Sequence, residues 1–163
     1  MEGERLLPAS AVRINEESPN SRDAQYCLSE YYRELSQRFD AGFDPSQSLS
    51  PSLDEFSPPG GCFLVIRLRG DPVGCGGFKP SPPDAAYLKR MWIAPGARGL
   101  GLGMRLLKAL EEHARTKGYR KVQLETNQSL TEAQQLYRRC GYNEVPPFND
   151  EPYAHYWFEK PLL

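Results

Sequence analysis

Arg98-Gly99-Leu100-Gly101-Leu102-Gly103 runs straight into Met104-Arg105-Leu106-Leu107-Lys108-Ala109-Leu110, and this junction decides how the chain is read. Three glycines alternate over five residues. Behind them Met104, Leu106, Leu107, Leu110 and Ala114 recur at spacings near three and four, the mark of one buried helical face. Ahead of them residues 87–93, Tyr-Leu-Lys-Arg-Met-Trp-Ile, read as a strand. The layout is strand, basic glycine-rich turn, helix. A helix N-terminus carries unsatisfied backbone N–H groups and partial positive charge. Glycines remove the side chains that would hold a phosphate away from those groups. Arg98 adds a cation with a fork suited to phosphate. The junction therefore predicts a phosphate or pyrophosphate seated at the start of the helix, against the plainer reading of a tight turn.

Two known phosphate loops fit badly. A P-loop needs Lys-Ser or Lys-Thr after its last glycine, and Met104-Arg105 stands there. A dinucleotide fingerprint requires G-x-G-x-x-G with an acidic residue about 20 residues on. Glu125 lies near that distance, but Arg98-x-x-Gly101-x-Gly103 is a different spacing.

Composition narrows the classes. A chain of 163 residues is long enough for one domain, 1–163, with a real core. The net charge of −1 gives no pull toward nucleic acid or an anionic membrane. No apolar run reaches the roughly 20 residues of a membrane span. Met1-Glu2-Gly3-Glu4-Arg5 has no apolar signal core, so a cytoplasmic location is expected. Cys27, Cys62, Cys75 and Cys140 are scattered without a C-x-x-C pair, so no metal site is expected and thiols are.

Along the chain the pattern is mixed α/β. Strands are expected at 12–15, 62–68, 72–78, 87–93, 121–126 and 153–159. Helices are expected at 23–39, with Ser21 as N-cap, at 101–117 ending on Gly118, and at 131–140 ending on Gly141. Arg69-Gly70-Asp71 signals a hairpin. Ser129 with Glu132, and Thr131 with Gln134, have capping-box spacing. Residues 40–60, rich in Ser, Pro, Gly and Asp, form a long loop with one short helix near 53–56. Such a loop is either a functional lid or disordered.

The element order, the run 87–95 and the turn 98–103 together resemble the GNAT family of acetyl-CoA-dependent N-acetyltransferases. The family loop reads Gln/Arg-x-x-Gly-x-Gly/Ala, and each fixed position is matched. A second family block stands at Ala133-x-x-Leu136-Tyr137-x-x-x-Gly141-Tyr142. The resemblance implies a twisted sheet of six or seven strands flanked by about four helices. It implies that strands 87–93 and 121–126 are parallel and splay apart to admit the pantetheine of acetyl-CoA. Met91, Trp92 and Ile93 would pair with that arm. Arg98, Gly99, Leu100, Gly101, Leu102 and Gly103 would hold the pyrophosphate, and Asn127 would meet the pantetheine or cap a turn.

The resemblance also implies direct attack of an amine on the thioester. Tyr137 matches the family tyrosine beside the leaving sulfur, although the same spacing suits a core tyrosine. The strand glutamate many members use as base is replaced by Tyr87. His155 resembles the base of the glyphosate N-acetyltransferase branch, and its ordinary pKa near 6.5 suits that task. A histidine satisfied by a neighbouring carbonyl is the other reading. Lys89 and Arg90 should point to opposite faces of their strand, so at most one faces the acceptor. Lys89 and Tyr31 are the candidates for substrate contact. Asp150 and Glu151 would attract a cation and Lys89 an anion.

The expected activity is acetyl transfer to the primary amine of a small molecule, with no metal. A noncatalytic acyl-CoA-binding module is the alternative, supported only by the missing strand glutamate. A protein or peptide N-acetyltransferase is a third reading. Many members of the family are dimers, so a homodimer is among the expected states.

Overall fold

Cys62 to Ile66 are five consecutive residues with no exposed surface. A strand without polar alternation must be covered on both faces. The computed structural model, which describes residues 9–48 and 52–163, shows how. Strand β2 (Cys62–Leu68) lies inside a seven-stranded sheet. The other strands of the sheet are β1 (Val12–Glu16), β3 (Asp71–Ser81), β4 (Ala85–Ile93), β5 (Lys121–Thr126), β6 (Asn143–Val145) and β7 (Tyr156–Pro161). The order is β1-β2-β3-β4-β5-β7-β6, antiparallel throughout except for the parallel pair β4–β5.

Cys62, Leu64 and Ile66 point to one face, where Leu106, Leu107, Leu110 and Ala114 of α2 (Leu102–Thr116) cover them. Phe63 and Val65 point to the other, against Ala24, Cys27 and Leu28 of α1 (Arg22–Arg38). A third helix, α3 (Thr131–Arg139), adds Tyr137 to the α2-side core. Ser21 caps α1, its Oγ accepting from the Ala24 N–H at 3.2 Å. Gly118 and Gly141 follow α2 and α3 at φ +94° and +92°, as αL terminators.

Several elements differ from the expected ones. The described residues hold three α-helices, not about four. The 40–60 loop carries only single 3₁₀ turns, at Pro45–Gln47 and Asp54–Phe56, and residues 49–51 lie outside the described part, as does the N-terminal pentapeptide. The capping boxes expected for α3 do not form. Its N-cap is Leu130, with no side-chain cap; Glu132 is engaged by Arg38 at 2.8 Å, and Gln134 donates to the Asn127 and Gln128 carbonyls at 3.2 and 3.1 Å. The last strand starts at Tyr156 rather than 153, since the chain turns first, with the Ala154 N–H donating to the Glu151 carbonyl at 3.2 Å. The three-residue β6 has too little pattern to be read in advance.

The hairpin at Arg69-Gly70 is a two-residue turn with φ +52° and +91°, the primed geometry that matches strand twist. The β4–β5 pairing lasts only from Ala85↔Lys121 to Tyr87↔Gln123. Both strands then continue apart, which leaves the β4 backbone from Leu88 to Ile93 without a strand partner on that side.

A bulge sits in this open stretch. Cys75 pairs with Trp92 and Gly77 with Lys89, so two β4 residues face the single Gly76. Arg90 has φ +64°. The extra residue flips the alternation. Before it, Ala86 and Leu88 face α2; after it, Met91 and Ile93 do, while Trp92 faces α1. Lys89 and Arg90 therefore do not diverge as expected. Arg90 turns to α1, donating from Nε to the Tyr32 hydroxyl at 3.0 Å over the Tyr32 and Phe56 rings. Lys89 lies on the same side, on Tyr87 and Glu151. No helix of the described residues is long and apolar enough to cross a membrane.

Candidate active site

The open edge of β4 forms one wall of a cleft of about 520 Å³. Its lining includes Met91, Trp92 and Ile93 from β4, Arg98, Gly99, Gly101, Leu102 and Gly103 from the turn, and Leu136 and Tyr137 from α3. Gly99 and Gly101 stand at φ +86° and +78°, a backbone that side chains resist, although space around them is open. Gly103 has an ordinary helical backbone. A Cβ there would meet Leu136 Cδ2 at 3.4 Å and Ile93 Cγ1 at 3.9 Å, so its bareness keeps the cleft floor open. The helical ladder starts with Arg105 N–H to Gly101 O at 3.2 Å, which leaves the N–H groups of the first turn with no intrahelical acceptor.

Arg98 differs from expectation. Its guanidinium is already engaged, donating to both Glu34 oxygens at 2.8 and 2.9 Å and to the Ile93 carbonyl at 2.9 Å. Glu34 also accepts from Trp92 Nε1 at 3.0 Å and Arg38 at 3.2 Å. Burial alone would raise the Glu34 carboxyl, but the Arg98, Trp92 and Arg38 donors outweigh it and hold it below the usual range. Arg38 reaches on to Glu132 and to the Ser129 carbonyl at 2.6 Å. One ionic chain thus ties α1, the glycine turn and α3 around the cleft mouth.

A smaller cavity of about 90 Å³ opens beside the cleft. Tyr31, Leu35, Met91, Leu130, Ala133 and Tyr137 line both. Its far end is polar and buried. Lys89 Nζ lies 3.0 Å from Glu151 and 3.7 Å from Glu125, and the three side chains are only 8%, 4% and 5% exposed. Glu125 accepts from the Tyr87 hydroxyl and from Asn149 Nδ2 at 3.0 Å. Ser48 donates to Glu151 at 2.5 Å. Aromatic rings close the other side: Phe43 stacks on Tyr32, meets Phe39 edge-on and lies tilted against Tyr153. Phe43 and Ser48, from the described part of the 40–60 loop, line this cavity.

The family model for the acetyltransferase (GNAT) family matches residues 27–142. The chain belongs to the GNAT acetyltransferase family. An uncharacterized N-acetyltransferase of Schizosaccharomyces pombe is 29% identical over 149 residues, 90% of this chain and 88% of that one. The Escherichia coli N-acetyltransferase YjgM, also uncharacterized, is 36% identical over 102 residues, 58% of this chain and 61% of that one, less than two thirds of either. An IAA acetyltransferase of Azospirillum brasilense is 36% identical over 116 residues, covering 68% and 74%. Among solved structures, a Staphylococcus aureus GNAT acetyltransferase superposes with TM-score 0.79 at 21% identity, covering 94% and 100%. A Klebsiella pneumoniae chain classed as an acyl-CoA N-acyltransferase gives 0.73 at 27%, covering 93% and 98%. The fold is the GNAT fold, and the chain is an acetyl-transferring N-acetyltransferase.

Against the GNAT frame the expected site residues divide. Tyr137 is buried where cleft and cavity meet. Among the described residues none bonds its hydroxyl. Burial, and then the Glu125 charge, push its phenol above the ordinary value. Lys89 and Tyr31 line the small cavity. Leu100 does not line the cleft; it packs against the α2-side core. Asn127 lines the small cavity but not the cleft, and its amide is engaged internally, donating to the Tyr153 carbonyl and accepting from the Ser129 N–H, both at 2.8 Å. His155 is exposed, lines neither cavity, and accepts the Gln128 N–H on Nδ1 at 3.0 Å. Glu125, Glu34 and Tyr87 went unread as site groups. Glu125 carried a signal: alternation puts it opposite the buried Leu124.

Proposed function

We propose that this enzyme moves the acetyl group of acetyl-CoA to the primary amine of a small molecule, with the reaction at the junction of the two cavities. The observation that carries this reading is the shared lining at Tyr137, where a glycine-floored cleft meets a small carboxylate-bearing pocket. The cleft fits acetyl-CoA: unsatisfied helix N–H groups suit its pyrophosphate, and the open β4 edge suits its amide arm. The cosubstrate supplies the thioester; the rest is done by side chains.

Glu125 is the proton acceptor in this reading. It lies on β5 and bonds the hydroxyl of Tyr87, the residue standing where the strand glutamate of many relatives would be. A carboxylate thus reaches that region from the neighbouring strand, which weighs against a noncatalytic module. Tyr137, held protonated by burial, supplies a proton to the departing sulfur. Glu125 and Glu151 face Lys89 and Arg90 in the pocket lining, so the formal charge balances, and it is the carboxylate end with its nearby aromatic faces that suits an acceptor arriving as an ammonium ion. Its volume of about 90 Å³ favours a small amine over a protein tail.

The test is coenzyme A release from acetyl-CoA with mono- and diamines, aminoglycosides, amino acids and short peptides. Turnover on small cationic amines is expected. Turnover only on peptides, or coenzyme A binding with no turnover on any amine, contradicts the reading.

A further inference from the structure

On the α2 side of the sheet, away from both cavities, three chemically different ligand groups converge. Glu16 is the last residue of β1, Cys62 the first of β2, and His113 stands near the end of α2. A Glu16 carboxylate oxygen, the Cys62 sulfur and a His113 ring nitrogen all lie within 4.8 Å of one another. Glu16 Oε1 and His113 Nδ1 are 3.8 Å apart. None of the three lines the cleft or the small cavity. Neither the family motifs nor the acetyl-transfer chemistry uses them.

We propose that Glu16, Cys62 and His113 form a binding site for a zinc-like divalent ion. One thiolate, one imidazole and one carboxylate suit a borderline-soft metal and ill suit magnesium or calcium, which favour oxygen-only ligands. Three protein ligands leave a fourth position to water. Zinc bonds of roughly 2.0–2.3 Å place tetrahedral ligand atoms about 3.3–3.6 Å apart. From separations of up to 4.8 Å, the trio must therefore close by up to about 1.5 Å. Cys62 is fixed in the core, while the His113 and Glu16 side chains are 39% and 31% exposed and have room to adjust. As the metal–sulfur bond forms, the Cys62 thiol proton leaves to solvent, and nothing is oxidised or reduced. Lys117 is the cation whose field reaches Cys62, and it opposes the ion. The bound ion would tie the end of β1 and the start of β2 to α2.

The experiment is a zinc titration of tag-free, chelator-stripped protein against a chromophoric competitor, repeated with cobalt for its thiolate charge-transfer absorption. Wild type is expected to bind one zinc per chain and to melt at a higher temperature with it. His113→Ala should bind at least about 10–100-fold more weakly, the penalty for losing even an outer-shell partner. Cys62→Ser should lose the cobalt band, and Cys140→Ser should keep it. If wild type binds no zinc, or if both His113→Ala and Cys62→Ser bind as wild type does, the site is refuted. His113 is half-exposed, so its variant decides the matter should the Cys62 variant fail to fold.

Discussion

Tyr137 keeps a hydroxyl in a place where burial normally requires a partner. None of the described residues supplies one, so the group is available to a reacting atom. Tyr137→Phe should lower kcat by about 10²-fold or more, the usual worth of a positioned acid, with a much smaller change in acetyl-CoA affinity. Because burial holds the phenol above its ordinary 10.0, the wild-type rate should show no loss near pH 10 from that group. A kcat unchanged in Tyr137→Phe sinks the assignment. Gly103 offers a second test without backbone strain. Gly103→Asp projects a carboxylate between Ile93 and Leu136 onto the cleft floor. Coenzyme A affinity in calorimetry should fall about tenfold or more, at least 1.4 kcal/mol. Retained affinity would mean the phosphates bind elsewhere.

At the scale of elements, the β4 bulge decides which side chains meet. An arginine at φ +64° carries a backbone cost of about 1–3 kcal/mol. The Tyr32 hydroxyl, two aromatic faces and the Cys75 thiol donating to the Arg90 carbonyl at 3.3 Å hold it there. Arg90→Ala keeps the strained backbone and loses the anchors, so denaturant unfolding should show about 1–3 kcal/mol of lost stability. Arg90→Gly should lose less, since glycine takes that conformation freely. The reverse order would show that the positive φ at this position costs the fold little. The ionic chain at the cleft mouth gives a pH prediction. Both Glu34 and Glu132 are held below the ordinary 4.5, so the unfolded chain binds more protons there. Their stabilisation is complete above about pH 4.5 and is lost as pH falls through the depressed values. Glu34→Gln should flatten that acid-side decline in thermal melts.

For the whole molecule, legibility followed the range of the interaction. The glycine turn, α2, the Ser21 cap and the Gly118 and Gly141 terminators are local, and the amino acids announce them. The two family blocks carried the fold further, to the splayed parallel pair. The bulge was not read, although the adjacent cations in Leu88-Lys89-Arg90-Met91 break apolar–polar alternation, and the pairing around Gly76 is what identifies the extra residue. The pocket carboxylates were half legible. Glu151 was seen as a charge near His155, but its seat on Lys89 depends on how residues 146–155 fold back. His155 was placed on a strand, whereas β7 begins one residue later.

The most direct test of the account is the steady-state rate of Glu125→Gln on the best amine from the panel. Glutamine is nearly isosteric and still accepts the Tyr87 hydroxyl. The account predicts that kcat falls about 10²–10⁴-fold while the dissociation constant for coenzyme A is unchanged. A Glu125→Gln enzyme with wild-type kcat would contradict it and place proton removal outside the cavity junction.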